Sequence, residues 1–182
     1  MPISAGVLTI SDRCSRGESQ DAGGPLIVQM LTESLGADVR RTGCVPDDRH
    51  KIAETLSSWC DRDRIDLIVT TGGTGFSTRD VTPEATRDVI ERDAPGLAEA
   101  MRSDGLKVTP HAMLSRAVCG IRGQTLIINL PGNPKAIREG LQTILPVLPH
   151  GVDILKGTQG ANEQHEFGHR GQRGTRGTHV AG

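Results

Sequence analysis

A chain of 182 residues with 35% hydrophobic content, a formal net charge of -1 and a pI near 6.6 supports one well-buried domain and is short for two. The balanced charge supplies no field that would draw nucleic acid or an anionic membrane surface, and the 2% aromatic content excludes a base-stacking platform. No apolar run approaches the ~20 residues of a membrane span, and Met1-Pro2-Ile3-Ser4 lacks the basic and apolar regions of a secretory signal, so a cytoplasmic protein is expected.

Residues 5–10 form an apolar run that reads as a first strand, ending at Ser11-Asp12-Arg13, and the segment from Cys14 to Gly24 reads as loop by composition. From Pro25 the apolar positions Leu26, Ile27, Met30, Leu31 and Leu35 recur at helical spacing, with Gly36 as the C-cap. Residues 39–45 predict a second strand, which Arg40, Arg41 and Thr42 make polar enough for a sheet edge. Asp47 and Asp48 then precede a helix with Ile52, Leu56, Trp59 and Cys60 on one face. One aspartate serves as its N-cap, and the other is left for different chemistry.

The next stretch changes character twice. Leu67-Ile-Val-Thr-Thr71 is unbroken apolar or β-branched sequence, suited to a strand buried on both faces of a parallel sheet. Gly72, Gly73 and Gly75 then permit positive φ and let backbone N–H groups approach a ligand, with Thr71, Thr74 and Ser77 beside them. Thr82 is the expected N-cap of the following helix, with Pro83 at its first position and Glu84 in its first turn. Anions bind in such a setting. The pattern matches neither the dinucleotide fingerprint nor the P-loop, and a tight turn that merely needs glycine is the alternative. The adjoining Arg79-Asp80 favours a site for phosphate and a metal.

Residues 85–90 predict continuation of that helix towards Ala94-Pro95-Gly96, and residues 97–101 a short further helix. Residues 110–115 read as a single irregular turn, 117–121 and 125–129 as a hairpin, and Leu130-Pro-Gly-Asn-Pro134 as a sharp break. Ile137, Leu141, Ile144 and Leu145 mark a last amphipathic helix, which Pro146 and Pro149 kink or end, and Val152, Ile154 and Leu155 complete the core. Cys14, Cys44, Cys60 and Cys119 are scattered without a C-x-x-C pair, so no structural zinc or redox dithiol is signalled. Residues 157–182 are rich in glycine, with arginine-glycine steps and His165, His169 and His179. Composition favours a disordered, solvated tail there over an RNA-binding or metal-binding segment.

Strands alternating with helices imply an α/β domain with a mainly parallel sheet and helices on both faces. Ser11-Asp12, Asp47-Asp48, the stretch from Gly72 to Asp80 and the turn from Asn129 to Pro134 all fall at strand carboxyl ends, where such sheets collect ligands.

Seven motifs in order carry a resemblance: Leu8-Thr-Ile-Ser-Asp12, Val45-Pro-Asp47, Thr71-Gly-Gly-Thr-Gly-Phe76, Arg79-Asp-Val-Thr-Pro-Glu-Ala85, Met113-Leu-Ser-Arg116, Gly120-Ile-Arg-Gly123 and Leu126-Ile-Ile-Asn-Leu-Pro-Gly-Asn-Pro134. Together they resemble the molybdopterin adenylyltransferases of molybdenum cofactor biosynthesis, which include the G domain of gephyrin and its plant homologue. The resemblance implies a three-layer α/β/α domain over residues 1–156 and a homotrimer. It also implies transfer of AMP from Mg-ATP to the terminal phosphate of molybdopterin, with molybdopterin synthase and the molybdenum insertase as partners. It puts the functional, metal-binding carboxylates on Asp47 and Asp80, which leaves Asp48 as the cap. Ligand contacts fall on Ser11, Gly72, Gly73, Thr74, Gly75, Glu84, Ser115 and the turn Pro131-Gly132-Asn133-Pro134. A non-catalytic pterin-binding or scaffold protein of the same fold is the alternative. Two departures stand out: Gly23 replaces a serine common in the family, which puts one ligand contact in question, and Thr78 replaces a proline.

Overall fold

The computed structural model describes residues 1–158, so the expected tail, apart from Gly157 and Thr158, lies outside the described residues, its three histidines included. Strand β1 (Ser4–Ile10) leads through a four-residue helix α1 (Asp12–Ser15) and helix α2 (Gly23–Leu35) to β2 (Asp38–Val45). Helix α3 (Arg49–Asp61) connects to β3 (Leu67–Thr71), and α4 (Thr82–Val89), β4 (Arg92–Asp93) and α5 (Pro95–Leu106) follow. A 3-10 turn (Pro110–Leu114), the hairpin strands β5 (Cys119–Arg122) and β6 (Thr125–Leu130), helix α6 (Pro134–Ile144) and helix α7 (Leu148–Lys156) complete the fold.

The six strands form one sheet in the order β2-β1-β3-β6-β5-β4. β2, β1, β3 and β6 are mutually parallel, while β5 and β4 add an antiparallel margin. Because β1, β3 and β6 lie inside the sheet, their residues are buried on both faces, and the period of two sorts them into two cores. Val7, Val69 and Ile128 pack with α2, α5, α6 and α7, whereas Leu8, Ile68 and Ile127 pack with α3 and α4. This is the three-layer α/β/α arrangement. From β1 the chain crosses to β2 on one side and then, through α3, to β3 on the other. The strand order therefore reverses between β1 and β3, and the turns that leave the carboxyl ends of β1, β3 and β6 lie along one edge of the sheet, where such folds collect ligands.

Several local expectations change. The polar segment after β1 holds the turn α1, and α2 starts at Gly23, two residues before Pro25. Gly23 lies against the core: a Cβ there would be 3.1 Å from Ile137 Cδ1 and from Thr71 Oγ1, so a serine hydroxyl at this position would face Thr71 and the interior. Helix α4 ends at Val89 because Ile90 turns extended, its side chain filling the space left by the missing Cβ of Gly120. The chain beyond it pairs with β5 through the Glu91 N–H to Ile121 carbonyl bond (2.8 Å) and the Ala94 N–H to Cys119 carbonyl bond (2.9 Å). The short helix expected at 97–101 runs instead from Pro95 to Leu106. Val152 is buried, but Ile154 is 39% exposed and does not complete the core. All four cysteines are free.

Candidate active site

The glycine turn leaves β3 at this edge. Gly72 (φ 99°) and Gly73 (φ 66°) occupy the left-handed region, as the sequence predicts, and Gly75 does not. What Gly75 requires is space, since a Cβ would lie 2.8 Å from Asp80 Oδ2. At Gly72 a Cβ would lie 2.2 Å from the Ile10 carbonyl oxygen, so no other residue fits that position. Backbone bonds hold the turn at both ends. The Gly72 N–H donates to the Leu130 carbonyl (3.1 Å), the Thr82 N–H to the Gly73 carbonyl (3.1 Å) and the Arg116 N–H to the Thr74 carbonyl (2.9 Å).

The N–H groups of Gly73, Thr74 and Gly75 donate to no partner among the described residues, nor does that of Gly132. Gly72, by contrast, has spent its donor on Leu130 and offers the cleft no N–H. Thr82 is not the N-cap of α4: Val81 takes that position, and the Thr82 hydroxyl donates to the Gly72 carbonyl (2.9 Å), tying helix to turn. A row of unspent amides on a fixed turn is an anion cradle.

One side of the turn faces a cleft of about 670 Å³, walled by α5, the 3-10 turn and the start of α6. Gly72 to Gly75, Asp80, Ser115, Pro131, Gly132 and Asn133 line it, so most of the residues singled out in the sequence converge there. Ser11, Asp47, Glu84 and Pro134 do not line it. Asn133 Oδ1 accepts from the N–H groups of Lys135 (2.8 Å) and Ala136 (3.4 Å), capping α6. Ser11 Oγ accepts from the Cys14 N–H (3.2 Å) and caps α1.

Glu84 pairs with the Arg116 guanidinium, and that contact holds its carboxyl below the usual range. Arg116 also donates from Nε to the Gly75 carbonyl (2.7 Å) and from Nη2 to the Asp80 carbonyl (2.7 Å). Glu84 therefore positions the turn through Arg116 and does not face the cleft.

Asp47 sits against the other side of the same turn, its Oδ1 3.1 Å from where a Gly73 Cβ would be. Its Oδ2 accepts from the Asp12 N–H (2.9 Å), and Asp12 Oδ1 accepts in return from the Asp47 N–H (3.1 Å). Both Asp12 oxygens are also engaged by the Arg79 guanidinium, at 2.8 to 3.0 Å, which holds the Asp12 carboxyl low. Burial, reinforced by the charges of Asp12 and Asp80, pushes the Asp47 carboxyl up. Asp80 Oδ2 accepts from the Ser77 N–H (2.9 Å). Asp48 is the helix cap, its Oδ1 accepting from the Lys51 N–H (2.9 Å), which lowers its pKa. Among the described residues, each of Asp47 and Asp80 thus keeps one oxygen without a hydrogen-bond partner.

No group of three or more His, Cys, Asp or Glu residues suited to a metal occurs among the described residues. Two carboxylates with a spare oxygen each do not cage an ion; oxygen donors of this kind are what Mg²⁺ takes, one or two carboxylates being commonly joined by waters and substrate phosphate oxygens.

Arg102, Thr109, His111 and Lys135 also line the cleft and carry no sequence signal. They come from α5, the 3-10 turn and α6, whose nearness to the glycine turn is a matter of tertiary packing.

These features define an α/β protein with a cleft at the carboxyl ends of β3 and β6, lined by a glycine turn with unspent amides. A family described as "probable molybdopterin binding domain" matches residues 6–150. The chain is 46% identical over 156 residues to the molybdopterin adenylyltransferase of Helicobacter pylori strain J99, spanning 85% of this chain and 89% of that protein. It is 45% identical over 153 residues to the molybdenum cofactor synthesis protein cinnamon of Drosophila melanogaster, covering 84% of this chain but only 26% of cinnamon. The crystal structure of the molybdopterin biosynthesis enzyme MoaB from Thermus thermophilus superimposes with a TM-score of 0.81 at 49% identity, covering 86% of this chain and 98% of that one. The chain belongs to this molybdopterin-binding family of molybdenum cofactor biosynthesis. No helix among the described residues is long and apolar enough to cross a membrane.

Proposed function

We propose that the chain is a molybdopterin adenylyltransferase, moving AMP from Mg-ATP to the terminal phosphate of molybdopterin. An oxygen of the pterin phosphate attacks the α-phosphorus of ATP, the bond from that phosphorus to the bridging oxygen breaks, and the electron pair leaves with pyrophosphate. A phosphate monoester has a second pKa near 6 and is already an anionic nucleophile at pH 7, so no general base is needed. The task is positioning and charge neutralisation. The unspent amides of Gly73, Thr74 and Gly75 hold phosphoryl oxygens, and Arg116 keeps the turn rigid so that the donors need not reorganise. Asp47 and Asp80 would hold Mg²⁺, which when bound offsets charge on the transferring and leaving phosphates.

The observation carrying this reading is the glycine turn itself: free amides on the cleft, with Asp47 and Asp80 pressed against it, each presenting a spare oxygen. The decisive assay is anaerobic incubation of the protein with molybdopterin and Mg-ATP, following adenylylated pterin and pyrophosphate. Tight pterin binding with no pyrophosphate release would favour the scaffold alternative, against which the presence of both aspartates argues.

Three copies are proposed to assemble in the cytoplasm, taking pterin from molybdopterin synthase and passing product to the molybdenum insertase. Support for assembly comes from Leu106, Val108, Met113 and Leu114, apolar side chains exposed by 44 to 63% around the 3-10 turn. Light scattering tests the trimer.

A further inference from the structure

The cationic side chains around the turn sort by what they already hold. Arg79 is committed to the Asp12 carboxylate. Arg116 is committed to Glu84 and to two backbone carbonyls. Lys135 extends into solvent, 74% exposed, with Glu139 at 3.9 Å. Arg102 differs from all three. It lines the cleft from α5, half-buried, and among the described residues its side chain bonds only from Nη1, to the carbonyls of Ala117 (3.0 Å) and Ser115 (3.4 Å).

No carboxylate lies within ion-pair distance of Arg102 among the described residues, and its Nε and Nη2 donors are unused. A half-buried guanidinium without a counter-charge is unfavourable unless an anion completes it. Two bonds from Nη1 fix the orientation of the planar group, leaving the Nε–Nη2 edge as a preorganised fork for a tetrahedral oxyanion.

We infer that Arg102 recognises the phosphate monoester of the pterin substrate. This rests on the reading in the preceding subsection, which brings two anions to the site. Asp47 and Asp80 would hold the Mg²⁺ that offsets the charge of the nucleotide polyphosphate, whereas the pterin monoester brings no metal. A fixed cation on the α5 wall suits the monoester. Arg102 would bind oxygens other than the attacking one, and Ser115, whose carbonyl it grips, is held on the same wall.

The test compares binding of molybdopterin and of its phosphatase-treated, dephosphorylated form, measured anaerobically by calorimetry on wild type, Arg102→Gln and Arg102→Lys. Wild type is expected to prefer the phosphorylated pterin at least tenfold, about 1.4 kcal/mol. Arg102→Gln should lower that ratio at least fivefold, the turn amides keeping the remainder, while leaving the KM for Mg-ATP within twofold of wild type. Arg102→Lys, which keeps the charge but not the fork, should fall between.

A residue that only props Ser115 would weaken both pterin forms alike and leave their ratio intact, which overturns the proposal. So does an equal rise in the ATP KM. Should Arg102→Gln not fold, Arg102→Lys carries the test, since a phosphate preference equal to that of wild type refutes the fork, as does a wild-type ratio under threefold. Failure of the enzymatic reading shows differently, as a preserved phosphate preference with no adenylylated product.

Discussion

Replacing Asp47 by asparagine separates a metal-holding carboxylate from a structural one. Asparagine keeps an oxygen able to accept from the Asp12 N–H, now 2.9 Å from Asp47 Oδ2, and removes a charge that burial and the neighbouring Asp12 and Asp80 make unfavourable. One neutral bond replaces one charge-assisted bond while two repulsions are relieved. The net change in stability should lie within about 1 kcal/mol, a shift in Tm of no more than ~4 °C for a chain of this size. Adenylyl transfer should fall at least about a hundredfold, ~2.7 kcal/mol of transition-state stabilisation.

The sign with pH follows from the raised pKa. In the folded protein Asp47 takes up its proton at higher pH than in the unfolded chain, so its carboxylate opposes folding above the folded pKa, and the opposition is relieved as pH falls through it. Activity needs the ionised form, and Mg²⁺ held by Asp47 would favour that form, so the acid limb of the wild-type profile should move to lower pH as Mg²⁺ is raised. Thermal melts and turnover measured from pH 4 to 8 over a range of Mg²⁺ concentrations check both halves. Full turnover in Asp47→Asn would leave Asp80 alone as metal holder and make Asp47 a brace for Asp12.

Asp48→Ala should do the reverse, costing about 0.5 to 2 kcal/mol through loss of the α3 cap with kcat unchanged, as urea denaturation and steady-state assays will read. Gly73→Ala should cost stability as well as pterin affinity, roughly 1 to 3 kcal/mol for a non-glycine residue at positive φ, because its Cβ would lie 2.3 Å from Thr82 Oγ1. Urea denaturation and pterin titration read the two losses. Asp80→Ala should abolish transfer but shift Tm by only a few degrees, since its one side-chain bond is to an exposed Ser77 amide. Arg116→Ala should lower kcat and also cost about 1.5 to 3 kcal/mol, the range for bonds to a charged group, with faster hydrogen exchange at Gly75 and Asp80 as its signature.

Comparison of sequence with fold shows where local information ends. The continuous apolar run at Leu67 to Thr71 and the polar Asp38–Val45 strand were enough to place an interior and an edge strand, because burial on two faces or one leaves a direct mark on composition. Gly72 and Gly73 were readable because positive φ admits few other residues. Thr82 departs from expectation for the opposite reason: it fits an N-cap by propensity, yet its hydroxyl finds a partner in the Gly72 carbonyl across the turn, whereas Glu84 stands in the first turn of α4 as expected and there also pairs with Arg116. Arg102 and His111 left no trace, since an arginine on a short helix and a histidine in a polar turn look like solvated surface until α5 is packed against α6.

Thr82, Glu84 and Arg116 have one effect in common. The turn carrying the free amides is gripped from α4 and from the segment before β5, so its stiffness comes from side chains outside the glycine motif. A glycine-rich segment held in this way loses little further entropy when phosphate binds, and that allows the most flexible residues in the chain to serve as a preorganised donor set.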